Sequence, residues 1–142
     1  MPRLEVKPSQ IGLGAFITSG VKRGEIVVDW SKHPLFENPP RIRDEDQWIQ
    51  IGPGVYTGPI GSKHPDAYIN HSCQPNCSVR IERPAIYLVA LRDIDKGEEV
   101  TFDYAEIYDP SWQMACRCET PVCRGIIRGR ATGTGFKPPA MR

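Results

Sequence analysis

A chain of 142 residues is the length of one ordinary domain, so a single hydrophobic core with a short appendage is expected and a pair of full domains is excluded. Apolar residues make up 39% and charged residues 25%, a balance that excludes wholesale disorder, and nowhere do about 18 apolar residues run together as a membrane span requires. The net charge of +1 conceals an asymmetry: Arg124, Arg128, Arg130, Lys137 and Arg142 crowd the end with no acid among them, and taking those five away leaves 13 basic against 17 acidic groups.

The mildly acidic body favours a basic peptide as partner. The basic tail is read first as a solvated end, with contact to nucleic acid or an acidic surface as its alternative. Met1 to Gln10 lacks the apolar stretch of a secretion signal, so a reducing, intracellular setting is expected. Disulfides are rare there, and the five cysteines call for metal binding or free thiols. Fourteen prolines, about twice the usual share of roughly 5%, predict short strands and much loop.

In chain order, Gly12-Leu13-Gly14 comes first. A dinucleotide fingerprint needs a third small residue where Ile17 stands, so a Rossmann site is not expected. The two glycines fit either close approach of backbone to a ligand or a plain turn. Gly24 to Trp30 reads as a strand, and Arg43 to Gln50, between Pro39-Pro40 and Gly52-Pro53-Gly54, as a short helix. Asn70-His71-Ser72-Cys73-Gln74-Pro75-Asn76 concentrates donors and acceptors in a proline-containing loop, suited to a polar ligand or to satisfied turn residues.

Ser78 to Glu82 alternates, with Val79 and Ile81 pointing one way and Arg80 and Glu82 the other. Arg83-Pro84 then reads as a hairpin connection to a strand over Ala85 to Ala90. Asp95-Lys96-Gly97 reads as a turn into a strand over Glu99 to Tyr104, on which Phe102 and Tyr104 share a face and, taken alone, belong to the core. Cys116, Cys118 and Cys123 form a C-x-C-x4-C cluster. Three thiolates that close can wrap one Zn²⁺, which takes four sulfur or nitrogen ligands, and Cys73 or Cys77 supplies the fourth. Reduced buried cysteines are the alternative; a redox pair at Cys116 and Cys118 would instead give a reversible disulfide and no metal.

Taken together and in this order, five segments resemble the SET-domain protein lysine methyltransferases with a cysteine-rich post-SET segment. They are Gly12 to Phe16, Gly24 to Val27, Tyr68 to Cys77, Gly97 to Tyr104, and Cys116 through Gly125. The N-H-S-C-x-P-N and C-x-C-x4-C-R-G runs are the specific ones. The resemblance implies a mainly β fold of several small sheets, in which the Asn70-His71 segment and the Phe102-to-Tyr104 segment meet in a knot-like crossing. It implies a SET domain over 4–105, a zinc-binding post-SET segment over 106–130, and a flexible basic tail over 131–142.

The resemblance also implies S-adenosylmethionine as methyl donor, held by Gly12, Leu13, Gly14, Asn70 and His71. It implies Tyr104 as the catalytic tyrosine, Phe102 as the residue limiting product methylation, and zinc on Cys73, Cys116, Cys118 and Cys123, with Cys77 spare. The implied substrate is a lysine of a basic protein such as a histone, met in the nucleus or on chromatin in a eukaryote and in the cytoplasm in a bacterium. A non-catalytic SET-like zinc module binding a peptide or chromatin is the rival reading, and it has no need of Tyr104 or Asn70-His71. Many members carry Arg-Phe where this chain has Ala67-Tyr68, and Glu-Tyr-x-Gly-Glu where it has Asp29-Trp30-Ser31-Lys32-His33. The chain looks like a minimal SET domain, lacking a cysteine-rich module before Gly12.

Overall fold

Strand β1 (Leu4–Ser9) turns back at Gln10-Ile11 into β2 (Gly12–Ile17), and the pair forms an antiparallel ribbon in the register Leu4↔Ile17 to Ser9↔Gly12. The computed structural model describes residues 4–31, 35–37, 47–52, 55–60, 65–82, 85–108 and 113–130. Gly12-Leu13-Gly14 therefore opens a strand, where a loop or turn was expected. Pro8 is tolerated because a two-stranded ribbon leaves it on an edge. The ribbon is stitched across the molecule: Ile17 N donates to Glu98 O at 3.0 Å and Val100 N to Ala15 O at 2.8 Å.

Next come β3 (Ile26–Asp29), β4 (Leu35–Glu37), β5 (Gln47–Gly52) and β6 (Val55–Ile60), the last three forming a sheet in the order β4-β6-β5. The helix expected over Arg43 to Gln50 is corrected here. Residues 47–50 are strand, because eight residues carry too little helical propensity to resist antiparallel pairing with β6. Residues 43–46, the Arg83-Pro84 connection and the tail from 131 lie outside the described residues.

After a 3-10 turn at Pro65–Tyr68 come β7 (Asn70–His71), β8 (Cys77–Glu82), β9 (Ala85–Ala90) and β10 (Thr101–Phe102). With β3 they make a five-stranded sheet, ordered β3-β9-β8-β10-β7. β8 and β9 pair antiparallel from Cys77↔Ala90 to Glu82↔Ala85. β10 instead enters parallel, between β7 (Thr101↔Asn70, Phe102↔His71) and β8 (Phe102↔Cys77), which puts the two segments of the expected crossing side by side. Gly97, at φ +90°, makes the expected turn before it.

The last strand is shorter than expected. It ends at Phe102, and Tyr104 begins a 3-10 turn (Tyr104–Glu106), because the Asp103 side chain accepts the Ala105 N–H at 2.9 Å and caps the turn. A final ribbon, β11 (Gln113–Ala115) with β12 (Ile126–Arg128), packs Ile127 into the interior. Trp30, Ile17, Ile86, Leu88 and Ile94 are among the large, fully buried side chains of the described core, each worth about 1.5–3 kcal/mol or more of apolar burial. No helix among the described residues is long and apolar enough to cross a membrane.

Candidate active site and metal centre

Asn76 fixes the lead-in to β10. Its buried amide donates to Glu99 O at 2.8 Å and accepts the Thr101 N–H at 2.9 Å, so the Glu99 carboxylate is delivered to β2 and β7. There Asn70 Nδ2 donates to Glu99 Oε2 at 2.8 Å and to Leu13 O at 3.0 Å, tying the expected Asn-His and Gly-x-Gly elements together through one amide. A side chain at Gly14 would have to displace the Glu99 carboxylate: a Cβ there would run into Glu99 Oε2 and lie 3.2 Å from Asn70 Nδ2. The second glycine thus serves close approach.

A cleft of about 190 Å³ opens beside this junction, lined by Gln10, Ile11, Asn70, His71, Ser72, Glu99, Thr101, Arg117 and Cys118. Of the five residues expected to hold a cofactor, Asn70 and His71 line the cleft. Gly12, Leu13 and Gly14 are not among its lining residues, whereas the preceding Gln10 and Ile11 are. The lining carries both an acceptor, the carboxylate of Glu99, and a donor, the guanidinium of Arg117, a pair complementary to the ammonium and carboxylate of an amino acid. Sequence reasoning gave neither residue a role, although each lies inside a motif it used.

His71 is buried beneath the cleft and held at both ring nitrogens. Nδ1 accepts the Tyr104 N–H at 3.0 Å, which leaves the proton on Nε2, 3.3 Å from Cys73 Sγ. Burial lowers its pKa to about 4, against the opposing pull of the Asp103 charge, so the ring is neutral.

Tyr104 sits in a cage of rings, with centroids 5.4 Å from His71, 5.0 Å from Phe102 and 6.2 Å from Tyr108. Its hydroxyl donates to Ile69 O. Burial, with Tyr108 and the Glu99 charge, pushes the phenol above its ordinary value, and it stays protonated at neutral pH. Phe102, buried, also meets Trp30 edge-on at 6.2 Å, and the Trp30 indole N–H is satisfied by Asp66 at 2.9 Å.

The four sulfurs of Cys73, Cys116, Cys118 and Cys123 all lie within 4.8 Å of one another, with 3.7 Å between Cys73 and Cys116. Tetrahedral zinc–thiolate bonds of about 2.3 Å set ligand sulfurs roughly 3.8 Å apart, so the cluster has the spacing and donor set of a zinc site. The fold brings Cys73 and not Cys77 to the triplet; Cys77 is fully buried on β8, where burial pushes its thiol up to about 12. Donors surround the cluster: Arg124 N and Nε reach Cys73 at 3.4 Å, and Cys118 N reaches Cys116 at 3.4 Å.

Asp103 links this centre to Tyr104. Arg124 donates to its Oδ1 at 2.7 Å and Arg130 to its Oδ2 at 3.1 Å. Burial works to raise this carboxyl, but the Arg124 hydrogen bond, the Ala105 N–H and the two positive charges outweigh it and hold the group below its ordinary value.

Comparison with known proteins accounts for this layout. The SET domain profile matches residues 12–105. Histone-lysine N-methyltransferase ash1 of Drosophila melanogaster is 41% identical over 71 residues, covering 45% of this chain and 3% of that protein. The H3 lysine-4 specific histone-lysine N-methyltransferase of Schizosaccharomyces pombe is 30% identical over 142 residues, covering 88% of this chain and 15% of its own. Among solved structures, KRYPTONITE in complex with mCHH DNA, an H3(1-15) peptide and SAH superposes with a TM-score of 0.65 at 23% identity, over 89% of this chain and 30% of that one. The chain thus spans a small part of the length of these relatives, and the part it spans, from the Gly-x-Gly strand through the Tyr104 turn, makes it a member of the SET domain family.

Proposed function

We propose that this chain is a protein-lysine N-methyltransferase that uses S-adenosylmethionine and acts on a lysine of a basic protein, with a histone as the leading candidate. One observation carries the reading. A protonated, ring-caged Tyr104 stands against His71, the same residue that lines a cleft bearing an acid and a guanidinium. Histone-lysine methyltransferases among the relatives, and the H3 peptide and SAH in the KRYPTONITE complex, support the substrate and the donor. A non-catalytic peptide-binding module has no use for the Tyr104 cage. The division into a SET domain over 4–105 and a post-SET zinc segment over 106–130 belongs to the same proposal.

Bound in the cleft, S-adenosylmethionine supplies a methyl group activated by a sulfonium charge. Glu99 and Arg117 are suited to its ammonium and carboxylate, and Asn70 holds Glu99 and the Leu13 carbonyl in register for it. The incoming lysine must be neutral to attack, which at pH 7.4 costs about 4 kcal/mol for an unperturbed amine. Desolvation among Phe102, Tyr104 and Tyr108, together with repulsion from the sulfonium charge of a bound donor, would lower the lysine pKa, so that the ammonium can give its proton to water before attack without a dedicated general base. The Ile69 carbonyl fixes the Tyr104 hydroxyl and its ring orientation, and the phenol in turn orders the amine. Alignment then supplies much of the remaining acceleration.

Labelled S-adenosylmethionine incubated with the chain and a histone mixture, followed by mass spectrometry, tests the reading; label on no lysine of any basic protein rejects it. Two variants probe the site further. Asn70→Ala is expected to weaken cofactor affinity about tenfold, because Glu99 and the Leu13 carbonyl lose a shared donor, with less effect on the melting temperature. Calorimetric titration with the demethylated cofactor reads it, and unchanged affinity places the cofactor elsewhere. Phe102→Tyr is expected to shift products toward monomethyl-lysine, because a hydroxyl beside the amine can hold it or a water and hinder rotation of a methylated nitrogen into line. A barrier of about 1.4 kcal/mol slows each later methylation tenfold. A single-lysine peptide followed by mass spectrometry shows the product ratio, and an unaltered ratio removes Phe102 from the channel.

A further inference from the structure

We infer that Asp103 is a positioning residue, the latch through which the ordered cysteine-rich segment holds the Tyr104 turn. The carboxylate is nearly enclosed, its side chain 11% exposed; Oδ1 lies 3.6 Å from His71 Nδ1, and each hydrogen bond the carboxylate accepts serves one of two tasks. Oδ1 accepts the Ala105 N–H and so starts the 3-10 turn whose first residue is Tyr104. The same oxygen accepts Arg124, and Oδ2 accepts Arg130, the two arginines lying on either side of β12. Arg124 places its backbone N–H and its Nε on Cys73 Sγ while its terminal nitrogen holds Asp103, so one side chain spans the thiolate cluster and the cap. Arg130 closes the same loop through its own backbone, donating to Ala105 O at 2.8 Å. His71 completes the circuit: Nδ1 takes the Tyr104 N–H and Nε2 faces Cys73.

Order in residues 116–130 is therefore relayed to Tyr104 by charge-assisted hydrogen bonds that converge on one carboxylate. When the cluster is closed, both arginines are delivered and the cap is rigid. When it opens, Asp103 keeps the Ala105 N–H but loses both cations, and the turn loosens at the residue that orients the reacting amine. The consequence for turnover rests on the methyltransferase reading; the coupling itself does not.

Amide hydrogen exchange on the zinc-loaded full chain, with and without chelation, tests the latch at the Tyr104 and Ala105 amides. The Val21 amide, bonded to Ile94 O at 2.9 Å on a different part of the body, is the control. In the parent, chelation is expected to speed exchange at Tyr104 and Ala105 about tenfold, the effect of losing a hydrogen bond to a charged group, while Val21 stays protected. Asp103→Asn keeps a cap oxygen but not the charge. It is expected to retain zinc, to exchange as fast as the chelated parent, and to respond little to chelation, with turnover down about tenfold and the cofactor KM within threefold.

Arg130→Gln, which alters an arginine remote from the cysteines, is expected to show an intermediate loss and decides the matter if Asp103→Asn does not fold. Exchange in the parent that ignores chelation overturns the latch, as does metal sensitivity that survives undiminished in both variants. Coupled exchange in a chain that methylates nothing would leave the latch standing and sink the proposed activity instead.

Discussion

Tyr104→Phe is expected to lose about 100-fold or more of its turnover while binding cofactor within threefold of the parent, a loss of roughly 2.7 kcal/mol felt only in the transition state. The hydroxyl donates to the Ile69 carbonyl, while the contacts with His71, Phe102 and Tyr108 are made by the ring, so the variant keeps them. The variant gives up the anchor that aims the ring and, on the proposed reading, the dipole that orders the amine. Single-turnover methylation with the donor prebound, set beside calorimetric titration of the demethylated cofactor, separates the two effects. A drop in affinity matching the drop in rate would make Tyr104 a binding group; an unchanged rate would remove it from the reaction.

Metal analysis of the purified protein is expected to give about one zinc per chain, and chelation to lower methyl transfer about 100-fold or more. Both rest on the four clustered sulfurs, since a site of this kind is closed by the metal and its binding energy is folding energy for the segment it ties down. Cys118→Ser and Cys73→Ser should each lose metal. Cys77→Ser should keep it and instead destabilise the fold by about 1–3 kcal/mol, the cost of placing a hydroxyl in an apolar interior. Undiminished zinc in Cys73→Ser would remove that residue from the ligand set.

Much of the fold is legible in the chain because the signals are local. Val79, Arg80, Ile81 and Glu82 alternate, and β8 forms there; Asp95-Lys96-Gly97 spells a turn, and Gly97 takes the positive φ. The cysteine triplet needs only its spacing. Other features depend on partners that no local pattern reveals. β1 and β2 are hidden in the sequence since Pro8 and two glycines argue against strand, and only the ribbon's bonds to Glu98 and Val100 show why strand prevails. Residues 47–50 obey their pairing with β6 and not their helical pattern. Phe102 and Tyr104 do come together, but through a turn capped by Asp103 and not through strand alternation. Glu99, Asp103, Arg124 and Arg130 read as surface charge until folding brings an amide or a carboxylate opposite each.

The parallel entry of β10 between β7 and β8 also has a bearing on when the protein becomes competent. β8 and β9 are neighbours in sequence and can pair early at little entropic cost, whereas β10 must find two strands that lie far behind it in the chain. Its insertion is expected late in folding, with mutations in β8 and β9 slowing folding and mutations at Thr101 and Phe102 chiefly speeding unfolding. The cleft, the Tyr104 cage and the thiolate cluster all draw on β10 or on residues C-terminal to it, so they come into being together, once β10 has inserted.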